Sequence, residues 1–196
     1  NQTARYVRPW QSVDNDQAAG SRLVRRLLNI ELSHLSLLRE GIARDRDWLL
    51  ILEDDAATVD VDDCAAGLAG LMSYGGSNPP QYANVSQSFT PAQLGIAHLL
   101  SPIGDVTWGG SAPRTLLSSS RPVTNTVCAI LYRASFARTL VEAIDALPMD
   151  PVVPIDWKLN AALMQLYRDG TLAAGDCWLV DPGPIDQLSM RAERGR

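Results

Sequence analysis

Three consecutive acids are the residues of this sequence best placed to do chemistry: Glu53, Asp54 and Asp55. They follow an uninterrupted apolar run, residues 48–52 (WLLIL), which is typical of a strand buried on both faces of a parallel sheet. We therefore expect the acids at the carboxyl end of a strand, where open α/β sheets bind their ligands. Because adjacent carboxylates repel one another and are costly to desolvate, a divalent cation is their usual partner.

The spacing of the acids indicates which of them could bind the same cation. In an extended chain alternate side chains share a face, so Glu53 and Asp55 should point together and Asp54 away from them. Hard oxygen ligands suit Mn²⁺ or Mg²⁺, with a substrate diphosphate completing the coordination shell. The same residues allow a second interpretation, in which the acids lie in water at the strand end and cap the next helix.

Two other side chains are candidates for roles beside the acids. His34 lies on the apolar face of a predicted helix, where we expect a buried, hydrogen-bonded core residue. Asp156 follows a proline-rich segment at the start of another predicted helix. There it is either the residue that caps the helix or, if it faces a pocket, a general base.

The elements that must position these residues form an alternating pattern. Strands alternating with helices indicate an α/β domain with an open, mostly parallel sheet flanked by helices. Helical spacing and capping signals predict helices over residues 21–44 (capped by Ser21), 60–72, 134–147 and 155–168, and short apolar runs predict strands over residues 5–7, 48–52, 82–88, 126–132 and 176–180.

Two segments are expected to lie largely outside these elements. Residues 1–20 form a polar N-terminal segment, and residues 101–123 contain the prolines, glycines and serines of a long surface loop. In that loop Trp108 either anchors the chain on the core or acts as a closing lid over a ligand.

Composition limits the classes of function. The 196 residues suit a single domain, 1–196, and a net charge of −5 argues against nucleic-acid partners, which need a basic face. No apolar run reaches the length of a membrane span, so we expect no transmembrane segment and a cytoplasmic location. Cys64, Cys128 and Cys177 lack metal-binding spacing and are predicted to be buried, reduced thiols.

A set of motifs occurs in a distinctive order along the chain. The pair Ser33-His34 stands on a helix before the strand that ends in Glu-Asp-Asp. The later motifs are residues 125–132 (NTVCAILY), residues 154–157 (PIDW) and residues 181–185 (DPGPI) followed by Gln187 and Ser189. This order resembles glycosyltransferase family 25, which contains bacterial lipopolysaccharide galactosyltransferases and the related collagen galactosyltransferases.

The resemblance implies a GT-A-type fold and an inverting, Mn²⁺- or Mg²⁺-dependent hexosyltransferase, as in lipopolysaccharide biosynthesis. Its donor would be a nucleotide sugar, a UDP-sugar in our reading, and its acceptor a saccharide or glycoconjugate. Glu53 and Asp55 would bind the metal and Asp54 the ribose or the sugar hydroxyls. His34 would support the acids from beneath, and Gln187 and Ser189 would contact the donor phosphates or the metal shell. Asp156 is our candidate for the base that inversion requires.

The first twenty residues differ from the family. Its members begin with a βαβ unit that holds much of the nucleotide, and residues 1–20 are too short and too polar to supply it. We therefore expect an incomplete nucleotide-binding unit at the N-terminus. The alternative function is a non-catalytic binding or assembly module of the same fold, with a decayed nucleotide pocket.

Overall fold

The computed structural model describes residues 17–74, 79–110, 112–122, 126–147 and 154–189, with side chains from residue 24 onward. The elements of this part of the chain are α1 (Gln17–Ala43), β1 (Trp48–Leu52), β2 (Ala56–Ala57), α2 (Val61–Ser73), β3 (Tyr82–Asn84), β4 (Leu100–Val106), β5 (Arg114–Ser119), β6 (Ala129–Arg133), α3 (Ala134–Asp145), α4 (Ile155–Arg168), β7 (Cys177–Asp181) and β8 (Asp186–Gln187).

The fold is a mixed α/β single domain with a mostly antiparallel sheet. Among the described strands, six form one sheet in the order β1-β6-β3-β7-β5-β4, and β2 pairs with β8 in a separate ladder. In the large sheet β3 and β7 are parallel, whereas the other neighbours are antiparallel. The mostly parallel sheet that the sequence predicted is therefore not observed. Helices pack on both faces of the sheet, so its central strands β6, β3 and β7 are buried as fully as parallel ones would be.

Each face of the sheet has its own apolar core, and the strands supply both by alternation. Leu49 and Ile51 of β1 pack in the core formed with α1, α3 and α4, whereas Trp48 and Leu50 pack on the opposite face with α2. The strand that carries the acids is consequently fixed by packing on both of its faces.

The segment predicted to be a long loop, residues 101–123, instead contains most of the antiparallel pair β4 and β5. Pro102 and Gly104 flank a bulge in β4, which lies at the edge of the described sheet. Proline is tolerated on an edge strand, so its presence did not exclude one. Trp108 is 2% exposed and lies against α2 where Gly67 leaves room for its ring, so it anchors the segment on the core.

The ends of the elements follow local signals. The predicted bounds of β1 and α4 agree with the structure, and the Asp60 carboxylate caps α2 by accepting a hydrogen bond from the backbone N–H of Asp63. Helix α1 begins earlier than predicted, at Gln17, so Ser21 is inside the helix rather than at its cap. The strand predicted at residues 5–7 lies outside the described residues.

All three cysteines are buried free thiols, in agreement with the prediction. A search of the described helices finds none that combines the length and the apolar character needed to cross a membrane.

Candidate functional site

Glu53, Asp54 and Asp55 form a tight turn between β1 and β2, here called the acidic turn. The backbone N–H of Ala56 donates to the Glu53 carbonyl at 3.1 Å and closes it. Strand β2 then pairs with β8, with Ala56 opposite Gln187. The acidic turn is therefore held between the large sheet on one side and a short ladder on the other.

The turn brings Glu53 and Asp55 together with a third ligand-type side chain, Cys128. One carboxylate oxygen of each acid and the Cys128 sulfur all lie within 4.8 Å of one another. Cys128 arrives there because β6 runs antiparallel to β1: Ala129 pairs with Leu52, and the Glu53 N–H donates to the Cys128 carbonyl at 2.9 Å. The sequence predicted the pairing of the two acids, although it arises through a turn rather than an extended chain.

Gln187 and Ser189 hold the two carboxylates in place. Gln187 Nε2 donates to Glu53 Oε2 at 3.1 Å, and the Ser189 hydroxyl donates to Asp55 Oδ2. The Ser88 hydroxyl donates to Gln187 Oε1 at 2.8 Å and so fixes the orientation of its amide. The residues predicted to contact phosphates or the metal shell thus contact the acids themselves, as supports for a metal site do.

The electrostatics of the turn favour a bound cation. Burial, together with the charges of Asp55, Asp156 and Asp54, raises the pKa of Glu53 from 4.5 to about 7, and Arg26 opposes this shift. Asp55 Oδ1 is buried and has no hydrogen-bond partner in the described part of the chain. Because an orphaned carboxylate oxygen and mutually repelling acids are both relieved by a divalent cation, the residues fit such an ion.

The acidic turn opens into a cavity of about 580 Å³, which is within the range of small-ligand sites. Helix α1 forms the facing wall, and Asp54 lines the cavity while remaining exposed. The residues that line it are Arg26, Asn29, Ile30, Ser33, His34, Leu37, Ile51, Leu52, Glu53, Asp54, Asp55, Gln187 and Ser189.

His34 is the buried core histidine that the sequence predicted, and it also forms part of the cavity wall. It is 4% exposed, and its Nε2 is 3.2 Å from the Tyr132 hydroxyl on β6. Burial lowers its pKa from 6.5 to about 4, so the ring is neutral near pH 7. Within the described residues its one hydrogen bond is to Tyr132 of β6 and none reaches the acidic turn.

Asp156 lies in the first turn of α4, whose N-cap is Pro154, so it is not the capping residue. It is half-buried, and its charge is close enough to raise the pKa of Glu53. The structure therefore brings the predicted base near the acidic turn, although Asp156 is not among the residues that line the cavity.

Three residues of this site were missed by the sequence analysis. Cys128 could be placed beside Glu53 only with the antiparallel register of β6, and Ser88 only with the contact of β8 to the acidic turn. The sequence could have indicated Arg26, because its helical spacing from Ser33 places both residues on the same wall of the cavity.

Comparison with known proteins gives no assignment for this arrangement. No model of a known protein family matches the chain, and no curated protein matches it in sequence.

Proposed function

We propose that the protein is a metal-dependent glycosyltransferase that moves a hexose from a nucleotide sugar, a UDP-sugar, to a saccharide or glycoconjugate acceptor with inversion. The GT-A type and the likeness to glycosyltransferase family 25 are part of this proposal. Their support is the order of the Ser-His and Glu-Asp-Asp motifs together with the placement of both on one cavity.

One observation carries the proposal: the carboxylates of Glu53 and Asp55 converge at the end of β1, beside a cavity large enough for a ligand. The unpartnered Asp55 Oδ1 and the raised pKa of Glu53 both indicate an arrangement that is incomplete without a cation. Acids that only ended a strand in water would need neither burial nor the hydrogen bonds that Gln187 and Ser189 supply.

Glu53 and Asp55 would hold a divalent cation, with Cys128 as a third ligand-type neighbour. Such an ion would neutralise the charge that develops on the diphosphate as it leaves the anomeric carbon. Gln187 and Ser189 hold the two carboxylates by hydrogen bonds and would keep them in place for the ion, and the exposed Asp54 would bind hydroxyl groups of the donor.

Asp156 would act as the general base of the transfer. Its carboxylate takes the proton of the acceptor hydroxyl while that oxygen bonds to the anomeric carbon and the bond to the diphosphate breaks. An Asp156→Asn variant keeps the shape of the side chain but removes this function. We expect it to bind donor as the wild type does and to lose turnover, and wild-type turnover in the variant would refute the assignment.

Calorimetry with Mn²⁺ and UDP tests the proposed function without knowledge of the acceptor. The wild-type chain should bind UDP saturably when Mn²⁺ is present, and Asp55→Ala should abolish this binding. Asp62→Ala, which changes an exposed acid on α2, is the matched control and should leave it unchanged. No binding to the wild type at about 1 mM UDP, a level that detects even weak sites, would overturn the proposal and favour a non-catalytic module.

A further inference from the structure

We propose that Arg26 binds the diphosphate of the donor and gives the cleft its preference for a diphosphate ligand. This inference rests on the proposed function and assigns a residue that the motifs of the sequence do not include.

The position of Arg26 follows from the geometry of α1. Arg26, Ile30, Ser33 and Leu37 recur at intervals of three and four residues, and all four line the cavity. At a rise of about 1.5 Å per residue, Arg26 lies roughly 10 Å from Ser33 along the helix axis. The helix thus presents one continuous face to the acidic turn, and Arg26 stands near the end of that face.

The charges of the cavity explain what a cation at this position can do. Among its lining residues in the described chain, Arg26 is the single Lys or Arg and stands against Glu53, Asp54 and Asp55. Its positive charge acts on Glu53, which lines the same cavity. Arg26 is exposed and forms no ion pair with a carboxylate in the described residues. Its guanidinium therefore influences the site through space and keeps its donors available.

A diphosphate is the ligand group that fits this arrangement. It carries more negative charge than one divalent cation neutralises, so a second positive group in the cleft stabilises the bound state. The planar guanidinium offers paired N–H donors that match two phosphate oxygens. A neutral ligand would gain only weaker hydrogen bonds from Arg26, and a cation would be repelled by it.

The neighbouring residue provides a matched control. Arg25 is also exposed on α1, but it does not line the cavity. The variants are therefore Arg26→Ala, Arg26→Lys and Arg25→Ala, each titrated by calorimetry with Mn²⁺ alone, with UDP plus Mn²⁺ and with inorganic pyrophosphate plus Mn²⁺. Thermal unfolding of each variant checks that the fold is intact.

The proposal predicts effects of opposite sign in the same variant. Arg26→Ala should weaken the binding of UDP and of pyrophosphate by about tenfold to a hundredfold, the loss expected for a charged hydrogen bond. It should tighten the binding of Mn²⁺ alone by about threefold, because a repelling cation is removed. Arg26→Lys should show a smaller loss for both anions, and Arg25→Ala should match the wild type.

The outcomes that contradict the inference are separate from those that contradict the proposed function. Wild-type UDP affinity in Arg26→Ala, or an equal loss in Arg25→Ala, would overturn the role of Arg26 and leave the metal site intact. Absence of Mn²⁺-dependent binding of UDP and pyrophosphate to the wild-type chain would overturn the proposed function and this inference with it.

Discussion

Two carboxylates in this molecule, one buried and one half-buried, have opposite electrostatic surroundings. Glu31, on α1, is paired with Lys158 of α4 at 2.6 Å, and both side chains are about nine-tenths buried. Glu53, in the acidic turn, receives a hydrogen bond from Gln187 but lies among other acids. Among the described residues, the first carboxylate has an ion-pair partner and the second has none.

The difference indicates which carboxylate belongs to the scaffold and which to the site. The Glu31–Lys158 ion pair fixes α1 against α4, although Glu31 Oε2 is buried without a hydrogen-bond partner in the described part of the chain. On the proposed function, the hydrogen bonds from Gln187 and Ser189 would hold the carboxylates of the acidic turn for a cation from solution. The following substitutions test this contrast, starting with the largest expected effect.

Removing the lysine of the ion pair should cost the most stability. In Lys158→Met, Glu31 is left buried without its cation, and we expect a loss of about 3–5 kcal/mol in the free energy of unfolding, measured with urea. Arg39→Met is the matched control, because Arg39 pairs with Asp145 on the surface at 2.8 Å and should cost less than about 1 kcal/mol. Equal losses would show that the buried pair is not a special scaffold contact.

His34 is a third case of a buried ionisable side chain, one that is buried in its neutral form. Because burial lowers its pKa to about 4, the unfolded chain binds a proton between pH 6.5 and 4 that the folded chain does not. Stability should therefore fall by about 3 kcal/mol as the pH drops through this range, relative to a His34→Gln variant. Urea unfolding at several pH values measures this.

The exposed His98 supplies the control for the histidine experiment. His98→Gln makes the same substitution at an exposed position and so controls for the loss of an imidazole as such. If His34→Gln followed the wild type, the pH dependence would arise from other groups.

The Gln187 side chain should affect the binding of a metal ion and have little effect on the stability of the fold. Gln187→Ala removes the donor to Glu53, and we expect Mn²⁺ affinity to fall about tenfold, as for other residues that orient metal ligands. Calorimetry with Mn²⁺ measures this loss, and Gln165→Ala, on the exposed face of α4, serves as the control. Unchanged Mn²⁺ affinity in Gln187→Ala would show that Gln187 has no role in metal binding.

The smallest effect should be a gain in stability on removing one acid. At about pH 8 Glu53 is ionised, and its burial among like charges costs stability, so Glu53→Gln should be more stable by about 1 kcal/mol after allowance for solvent screening. The gain should fade as the pH falls below 7, because wild-type Glu53 is then protonated. A loss of stability at pH 8 would show that the charge of Glu53 serves the fold.

The sequence predicted best what depends on local pattern. The apolar run of β1 and the helical spacing of α4 gave the bounds of these elements, and the acids were correctly placed at a strand end. The pairing of Glu53 with Asp55 was also predicted, although a turn produces it.

What the sequence did not predict depends on register between distant segments. The sequence around Cys128 and around Ser88 does not indicate that either residue lies near the acids. Antiparallel pairing and the β2–β8 ladder bring them there. Strand direction was misjudged for a related reason: a strand covered by helices on both faces has the same apolar run in either orientation.

The β2–β8 ladder joins two segments of the chain that a ribosome synthesises at well-separated times. Glu53 and Gln187, like Asp55 and Ser189, are 134 residues apart in the chain. At the usual speed of a ribosome, on the order of ten seconds separates the synthesis of the acids from that of their hydrogen-bond donors. The hydrogen bonds to the two acids can therefore form only after the strands and helices of the intervening chain have emerged.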